Sequence, residues 1–200
     1  MPTHRRNGSG STTGAGSGPA TPHTLTINRA PVLTLWAAVV AERLGYDRDE
    51  AATLGRAMAG MNAASKARTL GLTHPADKAA AERKPKVQSG ARVAVELCGR
   101  IVPALKTPDG LRAVKGGRPD DPASVQRYLE SKFGDALGPA REAMVALAKS
   151  LPQEELAERA FALYEGFRPA IPAGTRGWGA KGVLDLDRVR SLAAQGRGSR

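Results

Sequence analysis

Apolar positions Val32, Leu35, Trp36, Val39, Val40 and Leu44 recur at spacings of three and four. That is the period of one helix face, with Glu42 and Arg43 at its polar edge. Asn28 stands where an N-cap belongs, Pro31 is tolerated near a helix start, and Gly45 can close the helix. Asp47 then caps a second helix, with Asp49 and Glu50 in its first turn, where the helix dipole favours anions. Ala51, Leu54, Met58 and Met61 form its stripe, so the pair reads as a helical hairpin turned at Gly-Tyr-Asp. Beyond it, a break at Gly60 to Asn62 would let Asn62 start a third helix carrying Ser65, Lys66 and Arg68. The usual apolar anchors of a helix-turn-helix do not bracket that glycine, and a single helix from Arg48 to about Leu70 is favoured.

From Arg92 the period changes to two. Val93, Val95 and Leu97 alternate with Arg92, Ala94 and Glu96, and Cys98-Gly99-Arg100 reverses the chain into Ile101, Val102 and Leu105. Pro103 lacks a donor, which puts this strand at an edge or a bulge. Thr107-Pro108-Asp109-Gly110 is a turn, and Leu111 to Val114 returns as a third strand. The pattern predicts a small antiparallel β-meander whose turns and edges expose Arg100, Lys106, Arg112 and Lys115. Before it, Pro75 and Ala79 to Ala81 favour a short helix that Pro85 ends, leaving Arg83, Lys84 and Lys86 on an exposed connection. Helical pieces followed by a basic hairpin follow the element order of a winged-helix domain, a likeness of order alone.

The remainder is helical. Gly116-Gly117-Arg118-Pro119 reads as a flexible joint, and Asp121-Pro122 is a helix start with the stripe Val125, Tyr128, Leu129, Phe133 and Leu137. Gly138-Pro139 breaks that helix and opens another through Met144, Leu147, Ala148 and Leu151. A third starts at Ser150-Leu151-Pro152 and carries Leu156, Ala160, Leu163, Tyr164 and Phe167. The run from Arg168 to Gly182 is Pro- and Gly-rich. Around Trp178 it invites comparison with a phosphate loop but lacks the preceding strand and the Ser or Thr after Lys181; an anion nest beside Arg176 and Lys181 is the weaker version. Asp185 to Ala194 reads as a last helix. The expected organisation is a Gly/Ser-rich disordered tail over 1–24, a helical hairpin plus meander over 25–118, a helical segment packing on it over 119–194, and a basic frayed tail over 195–200. The fold class is mainly α: a helical bundle with a small meander, α+β, winged-helix-like in its first half.

Charge changes the picture most. The 200 residues carry 30 Lys and Arg against 19 Asp and Glu, a net +11. Between Lys66 and Arg118 there are 12 basic residues and four acidic ones, whereas Asp120 to Gly166 is roughly neutral to acidic. A concentrated positive field favours polyanions through attraction and counterion release. The single Cys98 excludes an intrachain disulfide and a thiolate zinc cluster, and His4, His23 and His74 are scattered, so no metal and no cofactor is expected. No apolar run has the length of a membrane span and no signal peptide is evident; a cytoplasmic protein without membrane contact is expected. Paired carboxylates and an activated nucleophile are missing, and catalysis is not expected.

Together these features point to a non-enzymatic nucleic-acid-binding protein, DNA ahead of RNA, of a regulatory or nucleoid-associated kind. Its candidate contacts are Lys66, Arg68, Arg83, Lys84, Lys86 and Arg100. The alternative is a helical interaction or scaffold protein that pairs with another protein or with itself as a homodimer, without a nucleic-acid role.

Overall fold

The computed structural model describes residues 23–69, 91–175 and 179–198. Strand β1 (Thr24–Asn28) leads into helix α1 (Arg29–Arg43), which the rest of the chain surrounds. Every residue from Pro31 to Ala41 is buried. The sequence predicts one apolar face. The helix is instead enclosed on all sides, because Ala37, Ala38 and Ala41 fill the faces between the larger side chains and let neighbours approach. Asn28 begins the helix without capping it; its side-chain amide donates to the carbonyls of Gly179 and Ala180 at 2.9 and 3.2 Å.

Helix α2 (Arg48–Thr69) starts in a reciprocal cap. Asp47 Oδ1 accepts from the Asp49 and Glu50 amides, and Glu50 Oε2 accepts from the Asp47 amide. The helix runs through Gly60 and Asn62 without interruption, so the separate third helix of a winged-helix order does not form at Asn62. It crosses α1 at Gly55, where a Cβ would lie 2.6 Å from the Thr34 carbonyl oxygen and 2.7 Å from the Ala38 nitrogen. The two backbones are in contact there.

The meander has the predicted strands: β2 (Arg92–Leu97), β3 (Arg100–Thr107) and β4 (Gly110–Lys115), extended by β5 (Arg118–Pro119), in spatial order β2-β3-β4-β5. The strand carrying Pro103 is not at an edge, since β3 lies between β2 and β4; Pro103 opposes Ala94 in the β2–β3 pair, and its missing donor falls just beyond the β3–β4 ladder, which begins at Ala104. The residues read as a flexible joint form a tight turn. Gly116 and Gly117 both have positive φ (57° and 81°), as do Cys98 (50°) and Gly99 (69°), the signature of two-residue type I′ hairpins.

Helix α2 lies along β4, tied by its own side chains. Glu50 Oε1 accepts from the Leu111 amide at 2.7 Å, and Thr53 Oγ1 accepts from the Ala113 amide at 3.1 Å. Helix α3 (Pro122–Phe133) is capped by Asp121, whose carboxylate accepts from the Ala123 and Ser124 amides. Arg56 of α2 sits 4.0 Å from the Tyr128 ring centroid. Burial raises the Tyr128 phenol pKa, and the Arg56 cation partly offsets that rise.

The break after α3 falls at a 3-10 turn, Gly134–Ala136, and not at Gly138-Pro139. Leu137 opens α4 (Leu137–Lys149), and Pro139 is accommodated in its first turn, where a backbone donor has no helical partner. Helix α5 (Gln153–Phe167) packs on α1 through Trp36, whose Nε1 donates to the Ala160 carbonyl at 2.8 Å. Phe167 stands edge-on to Trp36, with ring centroids 5.4 Å apart.

Strand β6 (Lys181–Asp185) pairs antiparallel with β1, so Lys181 and Gly182 belong to a sheet, while Arg176 and Trp178 of the suggested anion nest lie outside the described residues. Gly182 is required there by the Ala170 backbone, which a Cβ would meet at 2.6 Å. Helix α6 (Leu186–Gly198) runs past the predicted Ala194, into the residues read as a tail. Asp185 accepts from the Asp187 and Arg188 amides at its start. Hydrogen bonds from Arg190 and then His23 hold the Asp187 carboxyl below its ordinary pKa. One hydrophobic cluster takes in α1, α2, the inner face of the meander, α3 to α6 and both strands of the small sheet. The fold is α+β, with helices around one central helix and a small antiparallel meander. No helix among the described residues is long and apolar enough to cross a membrane.

Candidate nucleic-acid interface

The register of the meander fixes where its cations lie. Leu97 pairs with Arg100, and Lys115 pairs with Arg118, so each two-residue turn carries an arginine immediately after its tip. Because β3 and β4 are antiparallel with Ala104 opposite Ala113, both turns lie at the same end of the sheet. Helix α2 runs from Glu50, at the opposite end beside Leu111, toward this end. There Arg100 donates to Asn62 Oδ1 at 3.2 Å. Lys66 follows Asn62 by one helical turn, and Arg68 lies in the same last turns of α2.

Five cations therefore gather at one end of the molecule: Lys66, Arg68, Arg100, Lys115 and Arg118. All are exposed except Arg100, which is half-buried because its strand position turns it toward α2. None has a carboxylate partner among the described residues. The acidic residue of the meander nearest this end is Glu96. These cations stand at the C-terminal end of α2, where the macrodipole opposes an anion. Attraction for a polyanion must come from the side chains themselves.

Of the residues predicted from sequence, Lys66, Arg68 and Arg100 are brought together. Arg83, Lys84 and Lys86 lie outside the described residues. Lys115 and Arg118 complete the cluster and were not among the predicted contacts. Their signal is the Gly116-Gly117 pair, a type I′ turn sequence that places its flanking residues side by side. Lys106 is exposed at the opposite end of the sheet.

Arg112, predicted to be exposed, is buried. Its guanidinium folds back over the Pro108-Asp109 turn, donating to the carbonyls of Leu111 and Asp109 at 3.0 and 2.7 Å with Asp49 at 3.8 Å. It lines a pocket of about 380 Å³ together with Leu105, Pro119 and Pro122, with its charge already partnered.

Cys98 occupies the first tip position of its hairpin at a positive φ that a side chain disfavours, at a cost of roughly 1 kcal/mol. Its side chain is buried, and burial pushes the thiol pKa up to about 12. The thiol is therefore protonated at neutral pH and shielded from reagents. Native protein is expected to react with a thiol-disulfide reagent at pH 8 only as fast as it unfolds, while denatured protein reacts at once; a rapid native reaction would contradict the burial. The thiol's contribution to stability is fully present below the unfolded pKa near 9. It is lost as pH rises toward 12, because the unfolded chain releases the proton first.

Among the described residues, no group of three or more His, Cys, Asp and Glu side chains is placed to hold a metal ion. A scan against protein-family models and searches of curated proteins and of solved structures find no match to this chain.

Proposed function

We propose that the chain is a non-enzymatic binder of nucleic acid, duplex DNA before RNA, that grips the phosphate backbone with the end of the molecule formed by α2 and the two hairpin tips. The observation that carries this reading is the gathering of Lys66, Arg68, Arg100, Lys115 and Arg118, without carboxylate partners, on rigid elements of separate sequence origin. Turns and a helix fix the backbone positions of these cations, so binding phosphates requires ordering only their side chains. Phosphate contacts of this kind position a protein on a duplex without reading sequence, which fits a general or architectural role. In this reading the two arginine-bearing tips contact the duplex on either side of the groove approached by the end of α2.

Reversal of Lys66, Arg68 and Arg100 to Glu is the direct test. These side chains are exposed or half-buried at the surface, and the triple variant is expected to keep the wild-type far-UV circular dichroism. Its binding to a labelled duplex at low salt is expected to fall by at least about 100-fold, each lost contact removing close to one counterion from the salt dependence. A folded variant that binds like wild type would remove these residues from the interface. Absence of binding by the wild-type protein at low salt would overturn the function itself.

A further inference from the structure

We propose that the outer edge of β2, unpaired among the described residues, is a self-association site, through which two copies of the chain pair antiparallel into one continuous sheet, independently of any nucleic-acid role. The inference starts from the ladder. The Lys106 amide donates to the Ala91 carbonyl at 3.0 Å across the β2–β3 pair, which makes Ala91 and Lys106 a hydrogen-bonded pair. Alternation along an antiparallel ladder then turns the amides and carbonyls of Arg92, Ala94 and Glu96 away from β3, toward the outer side of β2. Among the described residues no strand lies on that side. A six-residue strand with three unpaired donor-acceptor sets is a template for another strand.

The sequence of the edge selects the partner. Arg92-Val93-Ala94-Val95-Glu96 is chemically symmetric about Ala94 apart from its ends, which carry opposite charges. In an antiparallel pairing with Ala94 opposite Ala94 of a second copy, Arg92 of each copy lies opposite Glu96 of the other, on the exposed face of the sheet. Val93 then lies opposite Val95 on the core-facing side. The three outward-facing residues of each copy all find partners, giving about six main-chain hydrogen bonds. Registers shifted along the strand lose this match: they set Arg92 against Arg92, Glu96 against Glu96, or either against Ala94.

Arg92, Ala94 and Glu96 are all exposed, and neither Arg92 nor Glu96 has an ion-pair partner among the described residues. Opposite charges facing each other across strands stabilise a pairing and like charges oppose it, so the two pairs fix both partner and register. The contact is isologous and closes after two copies.

Light scattering coupled to size exclusion on the full chain, without nucleic acid, reads the outcome. Wild type is expected to approach twice the 20.9 kDa chain mass as concentration rises. Arg92→Glu and Glu96→Arg each set like charges opposite one another at both ends of the pairing. Each is expected to weaken the dimer by about tenfold or more, with unchanged circular dichroism. The combined Arg92→Glu/Glu96→Arg variant restores both opposite-charge pairs and is expected to recover the dimer. A wild-type chain that stays monomeric at its highest soluble concentration overturns the proposal and leaves the edge to another part of the same chain. A dimer indifferent to the single reversals, or weakened by them without rescue in the double variant, overturns it equally.

Discussion

Gly55→Ala is expected to destabilise the protein by about 3 kcal/mol, although alanine is the better helix former. The intrinsic gain from removing a mid-helix glycine is about 1 kcal/mol. It is outweighed because the new methyl would stand 2.6 Å from the Thr34 carbonyl oxygen and 2.7 Å from the Ala38 nitrogen, both backbone atoms of the enclosed helix α1. Neither can rotate away, so α1 and α2 must separate, and α1 is walled in by the rest of the core. In a chain of this size the loss corresponds to a fall of roughly 10 °C in Tm. Gly60→Ala on the same helix supplies the contrast. Nothing lies within 4 Å of its added Cβ, and a gain of up to about 1 kcal/mol is expected. Thermal melts followed by circular dichroism measure both. A Gly55→Ala protein as stable as wild type would mean that the two helices do not meet backbone to backbone.

Trp36→Ala is expected to cost about 3–5 kcal/mol, enough to leave much of the chain unfolded if its stability is ordinary. Trp36 is completely buried, its Nε1 donates to the Ala160 carbonyl of α5, and Phe167 meets its ring edge-on. Phe167 in turn stands edge-on to Tyr164, whose hydroxyl donates to the Arg29 carbonyl at the start of α1. Removal of the indole therefore opens a cavity where the C-terminal helices hold the central one. Trp36→Phe keeps an aromatic ring and loses the donor, and an intermediate cost is expected. Chemical denaturation with an unchanged m-value measures the difference; a cost under about 1 kcal/mol for Trp36→Ala would remove this residue from the centre of the core.

Local chemistry made much of this fold readable. Alternation of Val93, Val95 and Leu97, the turn residues at 98–99 and 107–110, and the caps at Asp47 and Asp121 each act within a few residues. Their elements are found where the pattern puts them. What the sequence does not carry is decided at a distance. β6 is a five-residue strand behind a Gly- and Pro-rich run, and it exists because β1, more than 150 residues earlier, supplies its partner. The burial of Arg112 depends on two carbonyls and Asp49 converging over one turn, and no strand periodicity marks that. All-round burial of α1 follows from its place in the middle, not from its pattern.

The candidate interface divides the same way. Charge density singles out Lys66, Arg68 and Arg100, whereas their meeting depends on the β3–β4 register and on α2 remaining one helix through Gly60. Reading Gly116-Gly117 as a joint instead of a turn hides that Lys115 and Arg118 stand side by side.

The most direct test of the proposed function is the affinity of wild-type protein for a labelled duplex across a salt series. Engagement of the five gathered cations gives a linear fall of log affinity with log salt, with a slope of about −4 to −5. A slope near zero, or no binding at low salt, would contradict the assignment of this end of the molecule to nucleic acid.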